Sequence, residues 1–169
     1  MFDPDRALWT FNRHGVRYIV IGGYAAGLLG APVMTNDIDI CYERSPGNLD
    51  RLASALSELH ARLRVPGVDE ELPFLLDGRT LAAGDSFTFE SDIGDLDILG
   101  TPSGTRGFAD LDKAAAAYDL GDGLIVRVAA LDDLIRMKEA AARRKDLLHL
   151  PLLEELRDVI REREGFSHE

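Results

Sequence analysis

The chain has 169 residues, 46% hydrophobic and 29% charged, which is typical of a soluble globular protein and excludes a disordered tail, a fibre and a multi-span membrane protein. Its net charge of -11 repels nucleic acid and anionic lipid on average, so any nucleic-acid contact needs a local basic patch. The one cysteine, Cys41, favours a reducing compartment, and the acidic start lacks a signal-peptide pattern. We therefore expect a cytoplasmic protein without membrane association, folded as a single domain over residues 1–169.

In the first half of the chain, helix caps and hydrophobic periodicity predict alternating helices and strands. The predicted elements are a helix over residues 3–15, a strand over 16–21, a short helix over 24–29, a strand over 37–42 and a helix over 49–63 after a loop at 45–48. The first strand stops at Gly22-Gly23, and the second alternates acidic and aliphatic residues with the period of a strand.

In the second half, prolines and glycines interrupt residues 64–85, so we expect loops there and one short strand near Thr80. The later predicted elements are antiparallel strands over 86–90 and 95–99, a helix over 108–118, a strand over 124–129, and helices over 131–144 and 151–163. Together these elements predict an α+β fold with a mixed β-sheet flanked by helices, in which residues 128–169 form a C-terminal helical segment.

Asp37 and Asp39 lie two residues apart on a predicted strand, so their side chains share one face with Cα atoms about 7 Å apart. Magnesium prefers such oxygen ligands and usually takes one or two carboxylates beside water and substrate phosphates. A third carboxylate, from Asp97, would complete a site for two cations roughly 4 Å apart, which is typical of phosphoryl or nucleotidyl transfer. An Asp-x-Asp pair can also be the solvent face of an edge strand.

The turn at Gly22-Gly23 joins a predicted strand directly to a predicted helix. Backbone N–H groups at the start of a helix can bind an anion such as phosphate. A glycine pair is also a common tight turn, so this motif is weak evidence alone. Its position shortly before Asp37 and Asp39 makes the combination much stronger than either motif.

Lys138 falls on the hydrophobic stripe of the helix predicted over residues 131–144. A buried ammonium needs a negative partner, so one hypothesis is that Lys138 reaches the carboxylates or a nucleotide phosphate. The alternative is that its side chain extends along the core and leaves the ammonium in water.

Three roles are open for Asp146: it orients Lys138, acts on an acceptor, or is a solvated acid at a helix end. We expect the last. The basic run at 143–145 is either helix-end charge or a patch that contacts RNA.

Two runs together resemble the signature of the polymerase-beta-like nucleotidyltransferase superfamily, in which a glycine pair or Gly-Ser precedes Asp-x-Asp. The runs are Ile21-Gly22-Gly23-Tyr24-Ala25-Ala26 and Thr35-Asn36-Asp37-Ile38-Asp39-Ile40. The chain is most similar to small bacterial nucleotidyltransferases related to abortive-infection and toxin–antitoxin enzymes, whose closing segment resembles residues 131–138 with Lys145-Asp146. The resemblance covers most of the chain and implies a nucleotidyltransferase-like mixed sheet.

The resemblance also implies roles for individual residues. It assigns magnesium binding and catalysis to Asp37, Asp39 and a third aspartate, which is Asp97 or, with the same facing, Asp95. It assigns the donor, a nucleoside triphosphate (NTP), to a site formed by Gly22, Gly23, Thr35 and Lys138, and it gives Lys138 a part in catalysis.

Two departures from the family pattern leave alternatives open. Gly23 stands where many relatives have Ser, and residues 31–34 lack the arginine that relatives often place before Asp-x-Asp. The first hypothesis is a magnesium-dependent nucleotidyltransferase that moves a nucleoside monophosphate from NTP to an RNA or protein acceptor. The alternative is a catalytically weak or inactive regulatory module of a toxin–antitoxin type system that binds a partner protein. A phosphohydrolase that uses the same acids is a third hypothesis.

Overall fold

A computed structural model describes residues 1–70 and 73–166, so the last residues of the predicted C-terminal segment, 167–169, lie outside the described residues. The helices of the described part are α1 (Pro4–Arg13), α2 (Gly22–Leu28), α3 (Pro46–Glu58), α4 (Gly78–Ala83), α5 (Phe108–Asp112), α6 (Leu131–Ala141) and α7 (Arg144–Phe166). Its strands are β1 (Tyr18–Ile21), β2 (Asp37–Tyr42), β3 (Arg62–Leu63), β4 (Ser86–Ser91), β5 (Gly94–Leu99), β6 (Ala116–Asp119) and β7 (Ile125–Val128). No helix within these residues is long and apolar enough to cross a membrane.

The strands form one mixed sheet in the order β3-β4-β5-β2-β1-β7-β6. Strand β2 runs parallel to β5 and β1 parallel to β7, whereas the remaining neighbours are antiparallel. The predicted α+β class, the mixed sheet and the antiparallel pair β4–β5 are confirmed. The parallel pairing of β2 and β5 places two acidic strands side by side at the centre of the sheet, with Asp39 opposite Asp97.

The apolar face of the central strands belongs to the hydrophobic core. Ile38, Ile40 and Ile98 are at most 1% exposed, because they alternate with the aspartates and point away from them. Helices α3 and α4 contact each other, as do α2 and α6, and α6 and α7. Helices α2, α6 and α7 border the acidic face, since residues of α2, α6 and the start of α7 line one cavity with Asp39 and Asp97.

Two predictions for residues 45–85 are wrong. The helix predicted over 49–63 begins at Pro46 and ends at Glu58, because His60 takes a left-handed backbone conformation (φ 53°) and the chain then pairs with β4 as strand β3. The strand predicted near Thr80 is helix α4, because the Asp77 carboxylate accepts a hydrogen bond of 2.8 Å from the backbone N–H of Thr80 and caps a helix there.

The predicted bounds of two later helices are also wrong. The helix predicted over 108–118 stops at Asp112, and residues 116–119 form strand β6 against β7. The helix predicted to start at Pro151 begins at Arg144 and continues through that proline. Proline is most common in a first helical turn, but here the turn at Ala142 (φ 49°) and a cap from Asp146 start the helix earlier.

Helix α7 should depend on one buried leucine for its attachment to the core. Leu153 is 0% exposed, so Leu153→Ala leaves a cavity and should lower the free energy of unfolding by about 2–5 kcal/mol, measured by urea denaturation. Leu148→Ala is the matched control, since Leu148 is 68% exposed and its loss should cost about 0.5 kcal/mol or less. Similar small losses in both variants would contradict this attachment.

Candidate active site

Three aspartates meet on the acidic face of the sheet. One carboxylate oxygen from each of Asp37, Asp39 and Asp97 lies within 4.8 Å of the other two. Asp37 and Asp39 share a face of β2 by strand periodicity, and the parallel register brings Asp97 of β5 beside Asp39. We call these three residues the carboxylate cluster. All three are partly buried, so their charges are only partly screened by water.

Asp39 is the most constrained member of the cluster. Its Oδ1 atom is buried and has no hydrogen-bond partner among the described residues. Burial, followed by the charges of Asp37 and Asp97, raises the pKa of Asp39 well above that of an ordinary carboxyl group. An unpartnered buried oxygen beside two further acids is unfavourable in the protein alone and suits a bound cation.

The two outer carboxylates each accept a hydrogen bond from a threonine hydroxyl. Thr35, just before β2, donates to Asp37 Oδ1. Thr88 of β4 donates to Asp97 Oδ1 over 2.7 Å, across the antiparallel pair in which the two residues are opposite each other. Each hydroxyl occupies one oxygen of its carboxylate and leaves the other oxygen available.

The glycine turn lies directly against the cluster. Gly22 has φ 72°, and a Cβ atom built on it would overlap Asp39 Oδ2 and lie 2.8 Å from Asp39 Cγ. A side chain at this position would therefore displace the carboxylate as well as strain the backbone. Gly22 and Gly23 are the first two residues of α2 and line the same cavity as Asp39 and Asp97.

The structure separates the two candidates for the third acid. Asp95 is opposite Asp37 in the parallel pair, but its Oδ2 atom accepts a hydrogen bond of 2.8 Å from Arg64. The carboxylate cluster contains Asp97 instead. The geometry therefore favours Asp97, whereas strand periodicity left the choice open.

Lys138 is buried beside a carboxylate of the next helix. It is 7% exposed, and its Nζ atom lies 3.5 Å from Asp146 Oδ1. Burial lowers the pKa of Lys138 more than the nearby acid raises it. This burial excludes the hypothesis that the ammonium of Lys138 extends into water, since the side chain as a whole is only 9% exposed.

Asp146 is 2% exposed, so our expectation of a solvated acid at a helix end was wrong. Its Oδ2 atom accepts hydrogen bonds from the backbone N–H of Arg143 (3.2 Å) and from Arg143 Nε (2.9 Å). Although burial raises the pKa of Asp146, the charges and hydrogen bonds of Arg143 and Lys138 lower it overall. Asp146 thus both caps α7 and holds two cations at the junction of α6 and α7.

A cavity of about 350 Å³ connects these groups. The central strands and the glycine turn contribute acids and small residues to its lining, and the junction of α6 and α7 contributes Lys138, Arg143, Lys145 and Asp146. The apolar side chains in the lining include Leu99, Leu134 and Met137. The cavity therefore brings carboxylates and cations together, a combination that suits a metal-bound polyphosphate.

Most of the residues singled out by the sequence are brought together here, and they are joined by one residue that it missed and two to which it gave other roles. The cavity lining includes Gly22, Gly23, Asp39, Asp97 and Lys138, while Asp37 belongs to the cluster and Thr35 bonds to it. Sequence reasoning missed Thr88, and gave Arg143 and Lys145 other roles. Thr88 was detectable, because the hairpin predicted around 91–94 places it opposite Asp97.

The donor set of the cluster fits a divalent cation. It offers hard carboxylate oxygens, among them the unpartnered Asp39 Oδ1, at the separations that a shared ion requires. Asp37, Asp39 and Asp97 are the residues that would hold it.

No protein-family model matches the chain, and no curated protein matches its sequence. The solved structures that resemble it in fold include the following three. The lincosamide antibiotic adenylyltransferase LnuA, bound to lincomycin, is 13% identical with a TM-score of 0.57, covering 86% of this chain and 90% of its own. The antibiotic-resistance factor ANT(2'')-Ia is 18% identical with a TM-score of 0.55, covering 96% and 91%. The Thermotoga maritima protein TM1012, which carries a nucleotidyltransferase assignment, is 17% identical with a TM-score of 0.50, covering 96% of each chain.

Because none of these identities exceeds 18%, the similarity establishes the fold and leaves the reaction open. The chain has a nucleotidyltransferase-like fold, as the sequence resemblance implied.

The burial of Asp39 and its repulsion by Asp37 and Asp97 together predict that Asp39→Asn stabilises the protein when divalent cations are removed. Since the pKa of Asp39 is raised in the folded state, its ionised form costs stability at neutral pH, and asparagine removes that cost. The gain should appear as a higher Tm in EDTA at pH 7, decrease as the pH falls through the raised folded-state pKa, and vanish below about pH 4, the usual pKa of an unfolded aspartate.

Asp95→Asn is the control, because Asp95 is paired with Arg64 and its neutralisation should give no such gain. Added Mn²⁺ should raise the Tm of the wild-type protein more than that of Asp39→Asn. A lower Tm for Asp39→Asn in EDTA would contradict mutual repulsion in the cluster.

Proposed function

We propose that this protein is a divalent-metal-dependent nucleotidyltransferase that transfers a nucleoside monophosphate from an NTP to a hydroxyl group of an RNA or protein acceptor. The observation that carries the proposal is the convergence of Asp37, Asp39 and Asp97 in one cluster, two of whose members line a cavity together with Lys138, Arg143 and Lys145. Oxygen ligands for a cation and cations for phosphates are the two requirements of an NTP–metal complex. The fold shared with a lincosamide adenylyltransferase is consistent with this reaction.

The cations and the carboxylates of the cavity would bind different parts of the donor. Lys138, Arg143 and Lys145 would contact the phosphates, since cationic donors bind phosphate oxygens strongly. The carboxylates would hold Mg²⁺, whose preference for oxygen ligands matches the cluster. The turn at Gly22-Gly23 would bring backbone N–H groups close to the phosphates, because it carries no side chain on the side of Asp39.

In the proposed reaction, the acceptor oxygen attacks the α-phosphorus of the NTP. A new P–O bond forms, the bond to the bridging oxygen of the β-phosphate breaks, and pyrophosphate leaves. The acceptor proton passes to a carboxylate oxygen of the cluster, which acts as the general base. A bound cation would neutralise charge that develops on the phosphates.

For each of the two departures from the family pattern, other residues of the structure would supply the missing feature. A Cβ at Gly23 would lie 3.3 Å from Thr35 Cβ, so threonine fills much of the space of a serine side chain. The hydroxyl of Thr35 donates a hydrogen bond to Asp37, so Thr35 would contribute to nucleotide binding through that acid. Arg143 and Lys145 would supply the positive charge that residues 31–34 lack. These features favour an active enzyme over an inactive module.

The central test is nucleotide transfer. Protein incubated with α-labelled NTPs, Mg²⁺ and a cell extract as a source of RNA and protein acceptors should label one acceptor class, and Asp39→Ala should reduce labelling roughly 100- to 1,000-fold. Asp95→Ala, on the same sheet face but outside the cluster, should retain most activity.

Equal labelling by wild type and Asp39→Ala would contradict the proposal. An absence of labelling and of NTP binding, together with tight binding to a partner protein, would favour the alternative of a toxin–antitoxin regulatory module. Release of free phosphate with water as acceptor would indicate a phosphohydrolase.

Lys138→Met should weaken donor binding. It removes a buried ammonium that lines the cavity while leaving Asp146 paired with Arg143. Charge-assisted hydrogen bonds contribute about 1.5–3 kcal/mol, so the KM for NTP should rise roughly tenfold to hundredfold with a smaller change in kcat. Lys113→Met, at an exposed position beyond α5, is the control and should leave the KM unchanged. An unchanged KM in Lys138→Met would contradict phosphate binding by Lys138.

A further inference from the structure

The three acids of the carboxylate cluster differ in what holds them. Asp97 Oδ1 accepts a hydrogen bond of 2.7 Å from the hydroxyl of Thr88, and Asp37 Oδ1 accepts one from Thr35. Asp39 Oδ1 has no partner among the described residues, and its carboxyl group instead packs against Gly22. The direction of Asp39 is thus set by packing, whereas that of Asp97 is set by a hydroxyl from a neighbouring strand.

The carboxylate of Asp97 would turn away from the cluster if nothing held it. Like charges within 4.8 Å repel each other, and rotation about the side-chain bonds of Asp97 is the simplest way to increase the separation. A hydroxyl donor opposes this rotation, because it satisfies one carboxylate oxygen only in the observed orientation. The Asp97 carboxylate then stays within reach of Asp37 and Asp39.

Thr88 is suited to this task by its position and its side chain. It lies opposite Asp97 in the antiparallel pair of β4 and β5, so the backbone hydrogen bonds of the sheet fix the distance between the two residues. Its β-branched side chain has few rotamers on a strand, which keeps the hydroxyl in place. Thr88 also lines the cavity, so its hydroxyl acts where a ligand would bind.

We propose that Thr88 is a positioning residue of the carboxylate cluster, which holds the Asp97 carboxylate in the orientation that binds a divalent cation. The inference rests on the proposed function, in which the cluster binds such a cation. Groups that orient metal ligands typically contribute tenfold to hundredfold in metal affinity. The expected effect is on affinity for the ion itself, without nucleotide or turnover.

The test measures Mn²⁺ binding to the nucleotide-free protein by electron paramagnetic resonance of the free ion. Thr88→Val keeps the shape of the side chain and removes the hydroxyl, and it should weaken Mn²⁺ binding roughly tenfold to hundredfold. Thr88→Ser restores the hydroxyl and should return the affinity to within about threefold of wild type, which a purely structural role for the threonine would not predict.

Thr101→Val is the matched control. Thr101 also donates its hydroxyl to an aspartate, Asp85 Oδ1 over 3.2 Å, but this pair lies outside the carboxylate cluster. The variant should bind Mn²⁺ as the wild type does. Circular dichroism and thermal unfolding of all variants show whether the fold is retained.

Asp39→Asn separates failure of this inference from failure of the proposed function. If Asp39→Asn loses Mn²⁺ binding while Thr88→Val keeps wild-type affinity, the role of Thr88 is overturned and the metal site stands. If Thr88→Ser binds as weakly as Thr88→Val, the hydroxyl is not the cause and the inference is again overturned. If Asp39→Asn binds Mn²⁺ like the wild type, the cluster is not the metal site, and both proposals fall.

Discussion

The structure depends on holding three carboxylates close together against their mutual repulsion. The parallel pairing of β2 and β5 does this, because backbone hydrogen bonds fix Asp39 opposite Asp97. The reverse face fixes the register, since a slip by one residue would expose Ile38 and Ile40 and bury the aspartates in the core. Hydrophobic burial therefore stabilises an arrangement that electrostatics opposes, and a cation bound at the cluster would relieve the repulsion that remains.

The junction of α6 and α7 gives the cavity its second charge. The protein carries a net charge of -11, yet this junction contributes Lys138, Arg143 and Lys145 to the lining of the cavity. The left-handed turn at Ala142 reverses the chain, and the buried Asp146 ties Lys138 of α6 to Arg143 at the start of α7. Removing one partner from such a buried network leaves an uncompensated charge. The Asp146 carboxylate thus fixes the backbone at the start of α7 and holds the positive charges of Lys138 and Arg143 in place. This double role explains why an acid is buried beside the proposed phosphate site.

Sequence periodicity was sufficient for the parts of the site that follow from strand geometry. The alternation at 37–42 predicted the shared face of Asp37 and Asp39. The pairing of Thr88 with Asp97 was missed, although it follows from the predicted antiparallel strands over 86–90 and 95–99. Periodicity did not distinguish Asp95 from Asp97, because the difference lies in the hydrogen bond between Asp95 and Arg64. Arg64 directly follows the edge strand β3, whose residues had been predicted as the end of a helix because of their helical spacing. The burial of Asp146 was missed because Pro151 suggested a later helix start, which left residues 145–150 without an assigned structure.

The acids and the cations of the proposed donor site come from different parts of this fold. The central strands supply the acids, and the α6–α7 junction supplies Lys138, Arg143 and Lys145. Near the sheet edge at β3, by contrast, Arg64 is paired with Asp95, so its charge is already matched by an acid. The positive charge available to a phosphate in the cavity therefore depends on how α6 and α7 meet, and the carboxylates depend on how β2 and β5 pair.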